Sequence, residues 1–362
     1  MKRKWIIIAA MVLAIAMLFS LPLVGCKATS ATTTAAATET TAAAETTTTA
    51  AAAETTTTAA AAKTFTMLFV PGVADPFYYT MEKGIQAKAK ELGVTIKVAE
   101  YPKSWGPEAQ VPILEAAAAA GDIDLIITAP TSTDALIAPL KNLYDKGIAI
   151  ITVDCFLGDG DYSKESNYSF PLSYIGTDNK KGGQEVAKQL AELMGKKGKV
   201  YCMNTNPDTS SVVARGEGFK EGIAQFPDMT LVGMDYCLDD QQKAQQLATA
   251  ALQKDKDIAG IFGVNLYSAQ GSYQAVVNAG LTGAVKIASW DATQDLINAL
   301  KAGSVDLILA QKPAEMGSLC VDWGLKYLRD KTEVPKKVIP GFEFFTKENV
   351  NDPEMQQFIY TK

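Results

Sequence analysis

From Thr64 onwards, short apolar runs alternate with longer segments in which apolar residues recur every three or four positions. Runs such as TFTMLFV and DLIITAP are typical of β-strands that are buried on both faces. The segment DPFYYTMEKGIQAKAKELG places Met81, Ile85 and Leu92 on one face, which predicts an amphipathic helix. We expect this helix to begin after Asp75, since aspartate is a favourable N-cap and the next residue is proline.

The alternation restarts near Tyr174 and continues through a second series of strands and helices to a final strand predicted at VIPGFEFFT. The strands are too numerous for one short sheet, and apolar strands separated by amphipathic helices are typical of parallel sheets covered on both faces. The sequence therefore predicts an α/β protein with two doubly wound parallel-sheet lobes. Ligands of such sheets bind at the carboxyl ends of the strands, so a ligand site is expected there.

The predicted strand ends carry acids, amides and aromatic residues rather than a nucleophile with a base beside it. Carboxylate and amide groups match the neighbouring hydroxyls of a sugar, and aromatic faces cover its C–H surfaces. For Asp75, Asp134 and Asp208, helix capping is the preferred interpretation. The residues that end apolar strands directly, and are therefore expected to contact a ligand, are Asp154, Asn265, Asp291 and Gln311. Further candidates near strand ends are Asp75, Phe77, Trp105 and Asp239.

Several segments resemble, in the same order, the ribose-binding-protein class of solute-binding proteins that serve ABC sugar importers. The matching segments are DPFYYTMEKG, ITVDC, IGTDNKKGG, TSSVVARGEGF, GVNLYSAQG, ASWDA and LAQKPAEMG. Carried over position by position, the sugar contacts of that family fall on Asp75, Phe77, Tyr78, Asp154, Asn265, Asp291 and Gln311. The resemblance implies a protein that binds a pentose, polyol or related sugar and delivers it to a membrane permease by hinge closure. A ligand-binding component of a sensory, chemotaxis or autoinducer system would use the same cleft.

Three positions depart from the family pattern. Cys155 and Val213 stand where the family has arginine, and Ala129 stands where it has asparagine. Arg215 is not a replacement, since the family has an arginine at that position too. Each lost guanidinium contact is worth about 1.5 to 3 kcal/mol, which predicts either substitute contacts or a ligand with fewer hydroxyls than ribose. The residues available for substitute contacts are Trp105, Asn206 and Asp239.

The resemblance also implies a monomer with three passages of the chain between the lobes, near residues 177–178, 311–312 and 340. The lobe boundaries expected from these passages are residues 64–177 with 312–340 for the first lobe and 178–311 with 341–362 for the second. Hinge closure around a ligand that touches both lobes is a known behaviour of periplasmic binding proteins.

The N-terminus has the layout of a secretory signal, with cationic residues at positions 2–4 before an apolar run that reaches about Phe19. The following LVGC resembles the lipobox of bacterial lipoproteins, in which the peptide is cut before an acylated cysteine, here Cys26. Residues 1–25 are therefore expected to be a signal peptide. Residues 26–63, rich in Ala and Thr, have too little apolar surface to fold and are expected to form a tether. The prediction is an extracytoplasmic protein, lipid-anchored to the bacterial cell membrane; an uncleaved anchor and ordinary secretion are the alternatives.

The chain of 362 residues contains no histidine, which excludes His-based triads and His-ligated metal sites. Asp239 and Asp240 are adjacent and cannot flank a glycosidic bond from two sides, so no catalytic residue, metal or cofactor is predicted. An excess of 40 acidic over 34 basic residues, without long basic runs, argues against nucleic acid as a partner. Cys202 and Cys237 could pair outside the cytoplasm, with buried free thiols as the alternative.

Overall fold

The computed structural model describes residues 63–362. The predicted signal peptide, the lipidation of Cys26 and the tether up to residue 62 lie outside the described residues. Between residues 63 and 362, no helix combines the length and the apolar composition that crossing a bilayer requires.

Two sheets of six strands each form the frame of the described chain. In the first sheet all neighbouring strands run parallel. Its strands, in spatial order, are β11 (Lys337–Val338), β5 (Ser173–Ile175), β4 (Ala149–Val153), β3 (Leu125–Thr128), β1 (Thr66–Val70) and β2 (Thr95–Val98). The central strands β3 and β4 are buried along their whole length, as expected for strands covered by helices on both faces.

The second sheet is parallel except for β12, which runs antiparallel to β10 at the edge. Its strands, in spatial order, are β12 (Phe342–Phe345), β10 (Leu307–Gln311), β9 (Lys286–Trp290), β8 (Ile258–Gly263), β6 (Gly198–Asn204) and β7 (Met229–Tyr236). The two doubly wound sheets predicted from the alternation are thus confirmed. We call the first sheet with its covering helices the first half and the second sheet with its helices the second half.

Helices connect the strands in both halves. They are α1 (Pro76–Leu92), α2 (Pro107–Ala119), α3 (Ile137–Tyr144), α4 (Asn179–Leu193), α5 (Ser210–Ile223), α6 (Gln241–Lys254), α7 (Leu266–Asn278), α8 (Gln294–Ala302), α9 (Pro313–Asp330) and a 3₁₀ helix at Pro353–Phe358. As predicted, Asp75 caps α1 by accepting a hydrogen bond from the backbone N–H of Tyr78. Gly93 ends α1 in the left-handed conformation, which glycine adopts without a steric penalty.

Within residues 63–362 the chain passes between the sheets three times. It leaves the first sheet after β5 and enters α4, which packs against α5 in the second half. It returns after β10 through α9, which packs against α1, and it crosses again between β11 and β12. The contact of α9 with α1 is close, since a Cβ added at Gly84 would lie 2.0 Å from the carbonyl oxygen of Ala314.

The prediction of one final strand at VIPGFEFFT is wrong, because this segment contributes β11 to the first sheet and β12 to the second. Pro340 lacks a backbone N–H, and Gly341 has a φ of +86°, which suits glycine and breaks an extended strand. The apolar composition of the segment therefore predicted one continuous strand and did not reveal the break between β11 and β12.

The described cysteines are all buried free thiols: Cys155, Cys202, Cys237 and Cys320. The sequence left open a disulfide between Cys202 and Cys237 or buried free thiols, and the structure has free thiols. Cys202 lies opposite Met234 on the neighbouring strand β7, and Cys237 follows the end of that strand.

Candidate ligand-binding site

One cavity lies between the two halves, at the carboxyl ends of strands from both sheets. It encloses about 460 Å³ of space, including solvent at its mouth. The structure brings all of the predicted site residues together around it: Asp75, Phe77, Tyr78, Trp105, Asp154, Asp239, Asn265, Asp291 and Gln311. This convergence follows from the fold, because the carboxyl ends of parallel strands lie at the same edge of a sheet.

The start of α1 and Trp105, which lies just before α2, supply an aromatic wall. The ring of Tyr78 packs edge-on against Phe77, with 5.1 Å between ring centroids, and stacks against Trp105 at 6.4 Å. The indole N–H of Trp105 is engaged elsewhere, since it donates to Thr131 O at 3.1 Å and to Thr209 Oγ1 at 2.8 Å. Trp105 therefore presents its ring, rather than its N–H, to the cavity.

Asp154 follows β4 and is 5% exposed. Its Oδ2 accepts a hydrogen bond of 2.7 Å from the hydroxyl of Tyr78. Its Oδ1 is buried and has no hydrogen-bond partner within residues 63–362, although Arg215 Nη2 lies 3.9 Å away. A buried carboxylate oxygen is normally hydrogen-bonded, so this oxygen is available to a donor that enters the cavity.

Asp291 occupies the corresponding place in the second half, after β9. Its Oδ1 accepts from Gln311 Nε2 at 2.9 Å, and its Oδ2 accepts from the N–H of Leu266 at 3.2 Å. The amide oxygen of Gln311 in turn accepts from Thr177 Oγ1 at 2.7 Å. Asp154 and Asp291 both have positive φ values, 63° and 74°, a conformation that is costly for residues other than glycine and is concentrated at functional sites.

Asn265 and Asp239 form a pair in the second half. Asn265 Nδ2 donates to Asp239 Oδ1 at 2.6 Å. Asn265 also forms a capping box with Ser268 at the start of α7. The sequence favoured a ligand contact over helix capping for Asn265, and the structure shows that it caps α7 and also lines the cavity.

Sequence reasoning missed Arg215, which lines the cavity from α5. Its Nε donates to Asn179 Oδ1 at 2.8 Å, its Nη1 donates to Val264 O at 3.0 Å, and its guanidinium lies 4.3 Å from the ring centroid of Trp290. Among the described residues it is the only cationic side chain that lines the cavity. The available signal was its position in the second turn of α5, the helix that follows β6.

Further lining residues were also not predicted: Val73, Thr205, Thr209, Ser211 and Val212. Val213, which stands at an arginine position of the family, is half-buried on α5. Cys155, at the other arginine position, is buried with its Sγ 3.4 Å from Ser211 Oγ. Ala129 is also buried, and its carbonyl oxygen accepts from Gln110 Nε2 at 2.7 Å.

Contacts between the halves surround the cavity, so the structure shows a closed arrangement. Besides the bond from Trp105 to Thr209, the N–H of Phe156 in the first half donates to Ser210 Oγ at 3.1 Å. Cys155 and Ser211 form a third contact of this kind.

Burial dominates the electrostatics of the cavity. It raises the pKa of Asp75, Asp154 and Asp291 above the ordinary value of an aspartate, and it raises the pKa of Asp239 to about 6. The positive charge of Arg215 partly opposes this effect on the pKa of Asp154 and of Asp291. Among residues 63–362, no group of three or more Cys, Asp or Glu side chains is placed to hold a metal ion.

Comparison with known proteins agrees with this geometry. Residues 66–332 match the family described as periplasmic binding protein domain. The D-allose-binding periplasmic protein of Escherichia coli is 30% identical over 276 residues, which are 74% of this chain and 84% of that protein. The ribose import binding protein of Haemophilus influenzae is 29% identical over 72% of this chain and 85% of its own length.

Solved structures give the same result. An ABC transporter solute-binding protein from Agrobacterium vitis, bound with α-D-tagatopyranose, is 39% identical with a TM-score of 0.80 and covers 82% of this chain and 100% of its own. A second solute-binding protein from that organism, with bound D-fucose, is 27% identical with a TM-score of 0.74 and the same coverage. The resemblance predicted from the sequence motifs is confirmed.

Proposed function

Because the chain belongs to the periplasmic binding protein domain family, we propose that it is the solute-binding component of an ABC importer and holds a monosaccharide in the cavity between its halves. The observation that carries the proposal is the convergence of strand-end side chains from both sheets on one cavity, with the buried Asp154 Oδ1 left without a partner among the described residues. The relatives, named for allose and ribose or solved with tagatose and fucose, support a sugar as the ligand class.

The hydrogen-bonding capacity of the cavity supports a ligand rich in hydroxyl groups. Asp154 Oδ1 is not the only oxygen available to a ligand. Asp75 and Asp239 each use Oδ1 in the hydrogen bonds described above, which leaves the Oδ2 atom of each residue outside those bonds. Sugar hydroxyls donate to carboxylates in charge-assisted bonds, and the rings of Phe77 and Trp105 cover apolar C–H surfaces. A pentose, hexose or related polyol fits this set of groups.

Closure of the two halves provides the mechanism. We assign residues 64–177 and 312–340 to the first lobe and residues 178–311 and 341–362 to the second, with a hinge at the passages between them. A sugar that bonds to Asp154 in one lobe and Asp291 in the other binds the closed form better, and this difference in affinity shifts the population towards closure. The closed form then docks on a membrane permease.

The protein belongs to an extracytoplasmic family, and we propose that Cys26 carries the lipid that holds it at the membrane. The segment LVGC and the Ala/Thr-rich residues 27–63 support this arrangement. The tether lets the folded part reorient towards its permease. We further propose that the protein works as a monomer, transforms no substrate chemically and needs no cofactor.

A thermal-shift screen tests the proposed function. The melting temperature of the chain from residue 63 onwards is expected to rise with at least one sugar among tagatose, allose, ribose, arabinose and fucose. A ligand that binds only the folded state stabilises that state. The variant Asp291→Ala should lose the shift, whereas Asp228→Ala, which removes an exposed aspartate of the second half, should keep it. Absence of a shift with every sugar and polyol at millimolar concentration would contradict the proposal.

Sugar affinity is expected to weaken at acidic pH. Asp239 has a pKa of about 6 in the protein without sugar, and a hydroxyl donor prefers its ionised form. The affinity is therefore full well above pH 6 and falls as pH decreases through 6, by up to about tenfold per pH unit for one linked proton. Calorimetric titration between pH 5 and pH 8 should show that Asp239→Asn reduces this slope by about one proton. An unchanged slope in the variant would show that Asp239 is not linked to binding.

A further inference from the structure

The last residues of the chain touch both halves of the molecule. After the 3₁₀ helix, the backbone N–H of Tyr360 donates to Ala292 O at 2.8 Å, and Tyr360 forms a β-bridge with Thr293. These contacts attach the end of the chain to the second half, directly after Asp291. Residues 360–362, named here the C-terminal latch, continue from this point towards the first half.

The side chain of Tyr360 holds two of the candidate ligand residues. It is 3% exposed, and its hydroxyl accepts from the backbone N–H of Gln311 at 2.8 Å and donates to Asp291 Oδ1 at 3.3 Å. Its ring packs edge-on against Phe77 of the first half, with 5.7 Å between the ring centroids. Tyr360 is not among the residues that line the cavity, so it acts on the site through Asp291, Gln311 and Phe77.

Thr361 and Lys362 reach helix α1 of the first half. The N–H of Thr361 donates to Thr80 Oγ1 at 2.8 Å, and Thr80 Oγ1 lies 3.1 Å from Thr361 O. Lys83 Nζ donates to Thr361 Oγ1 at 2.9 Å and also contacts Lys362 O. Lys362 lines a surface groove together with Asp75 from the first half and Tyr267 from the second. The latch therefore bridges the junction between the halves beside the cavity.

From this geometry we infer that the C-terminal latch stabilises the closed form and that Tyr360 is a positioning residue for the ligand site. The inference rests on the proposed hinge closure around a sugar. Opening of the hinge must separate Thr361 from Thr80 and Tyr360 from Phe77, or detach the latch from Ala292. The latch thus slows release of the sugar, since its contacts form only after the halves have met.

Two variants of the full-length chain test the latch without altering a residue that lines the cavity. Thr80→Val removes the hydroxyl that pairs with Thr361, and Tyr360→Phe removes the hydroxyl that holds Asp291 and Gln311 while keeping the ring against Phe77. In stopped-flow fluorescence, Thr80→Val is expected to raise the dissociation rate constant of the bound sugar about fivefold and to leave the association rate constant within twofold. Tyr360→Phe should raise the dissociation rate constant at least as much as Thr80→Val does.

The matched control is Thr95→Val, because Thr95 is an exposed threonine of the first half. It should leave both rate constants unchanged. If Thr80 and Tyr360 contributed only to fold stability, the variants would have lower melting temperatures. Their dissociation rate constants would then not rise selectively over their association rate constants. Dissociation rate constants of both latch variants within twofold of the original protein would overturn the inference.

An engineered crosslink separates failure of the latch from failure of the proposed function. The double variant Thr80→Cys with Thr361→Cys is designed to place a disulfide across the closed junction, where Thr80 Oγ1 lies 2.8 Å from Thr361 N. By small-angle scattering without sugar, the oxidised variant should have a smaller radius of gyration than the reduced one, and by stopped flow it should bind sugar at least tenfold more slowly. Equal radii of gyration for the oxidised and reduced variants would overturn the latch, whether or not the protein binds a sugar. A compact oxidised variant, together with an original protein that binds no sugar, would contradict only the sugar site.

Discussion

Replacement of Arg215 by methionine is expected to lower the free energy of unfolding by about 3 to 5 kcal/mol, the range for removal of one partner from a buried ion pair. Arg215 is 3% exposed, and without it Asn179 Oδ1 and Val264 O lose their donor. The carboxylate of Asp154 would also lose the positive charge 3.9 Å away. Urea denaturation of the protein without sugar measures the change.

Arg329 offers a matched control, because it is an arginine exposed at the end of α9. Arg329→Met should change the free energy of unfolding by no more than about 0.5 kcal/mol. If the ion pair with Asp154 contributes, the double variant Arg215→Met with Asp154→Asn should lose less than the two single variants together. An Arg215→Met protein as stable as the original would show that the guanidinium is not a structural part of the site.

Replacement of Asp154 by alanine is expected to weaken sugar binding about 100-fold. The variant removes the one buried carboxylate oxygen that lacks a partner among the described residues, and a hydrogen bond to a charged group contributes about 1.5 to 3 kcal/mol. Calorimetric titration with the sugar selected by the thermal-shift screen measures the loss. Tyr78→Phe, which removes only the donor to Asp154 Oδ2, should cause a smaller loss.

Asp122→Ala controls for the removal of an aspartate from the first half, since Asp122 is exposed near the start of β3. It should bind the sugar as tightly as the original protein. Binding by Asp154→Ala within threefold of the original would mean that the free oxygen does not face the sugar.

The sequence was sufficient to predict the sheets and most of the residues that line the cavity, because both depend on the order of strands. Asp154 and Asp291 each follow an apolar strand directly, and parallel strands bring such residues to one edge. Arg215 was missed because its helix pattern showed that it belongs to α5 but not that its guanidinium would reach Asn179 and Val264. Contacts of that kind depend on how helices and strands pack in three dimensions.

The end of the chain illustrates the same limit. The segment after β12 has neither helical nor strand periodicity, and nothing in the residues around Tyr360 indicates that its hydroxyl lies between Gln311 and Asp291. The break at Pro340 and Gly341 was visible as residue types, but the assignment of the flanking residues to different sheets is a property of the whole fold.

A crystal structure of the chain with the sugar selected by the thermal-shift screen would show where the sugar binds. We expect a monosaccharide between the two halves, with one hydroxyl within hydrogen-bond distance of Asp154 Oδ1 and another within hydrogen-bond distance of Asp291. The rings of Phe77 and Trp105 should lie against its C–H surfaces. A sugar bound at any other place, or one that contacts residues of a single half, would contradict the proposed binding of a sugar between the two halves.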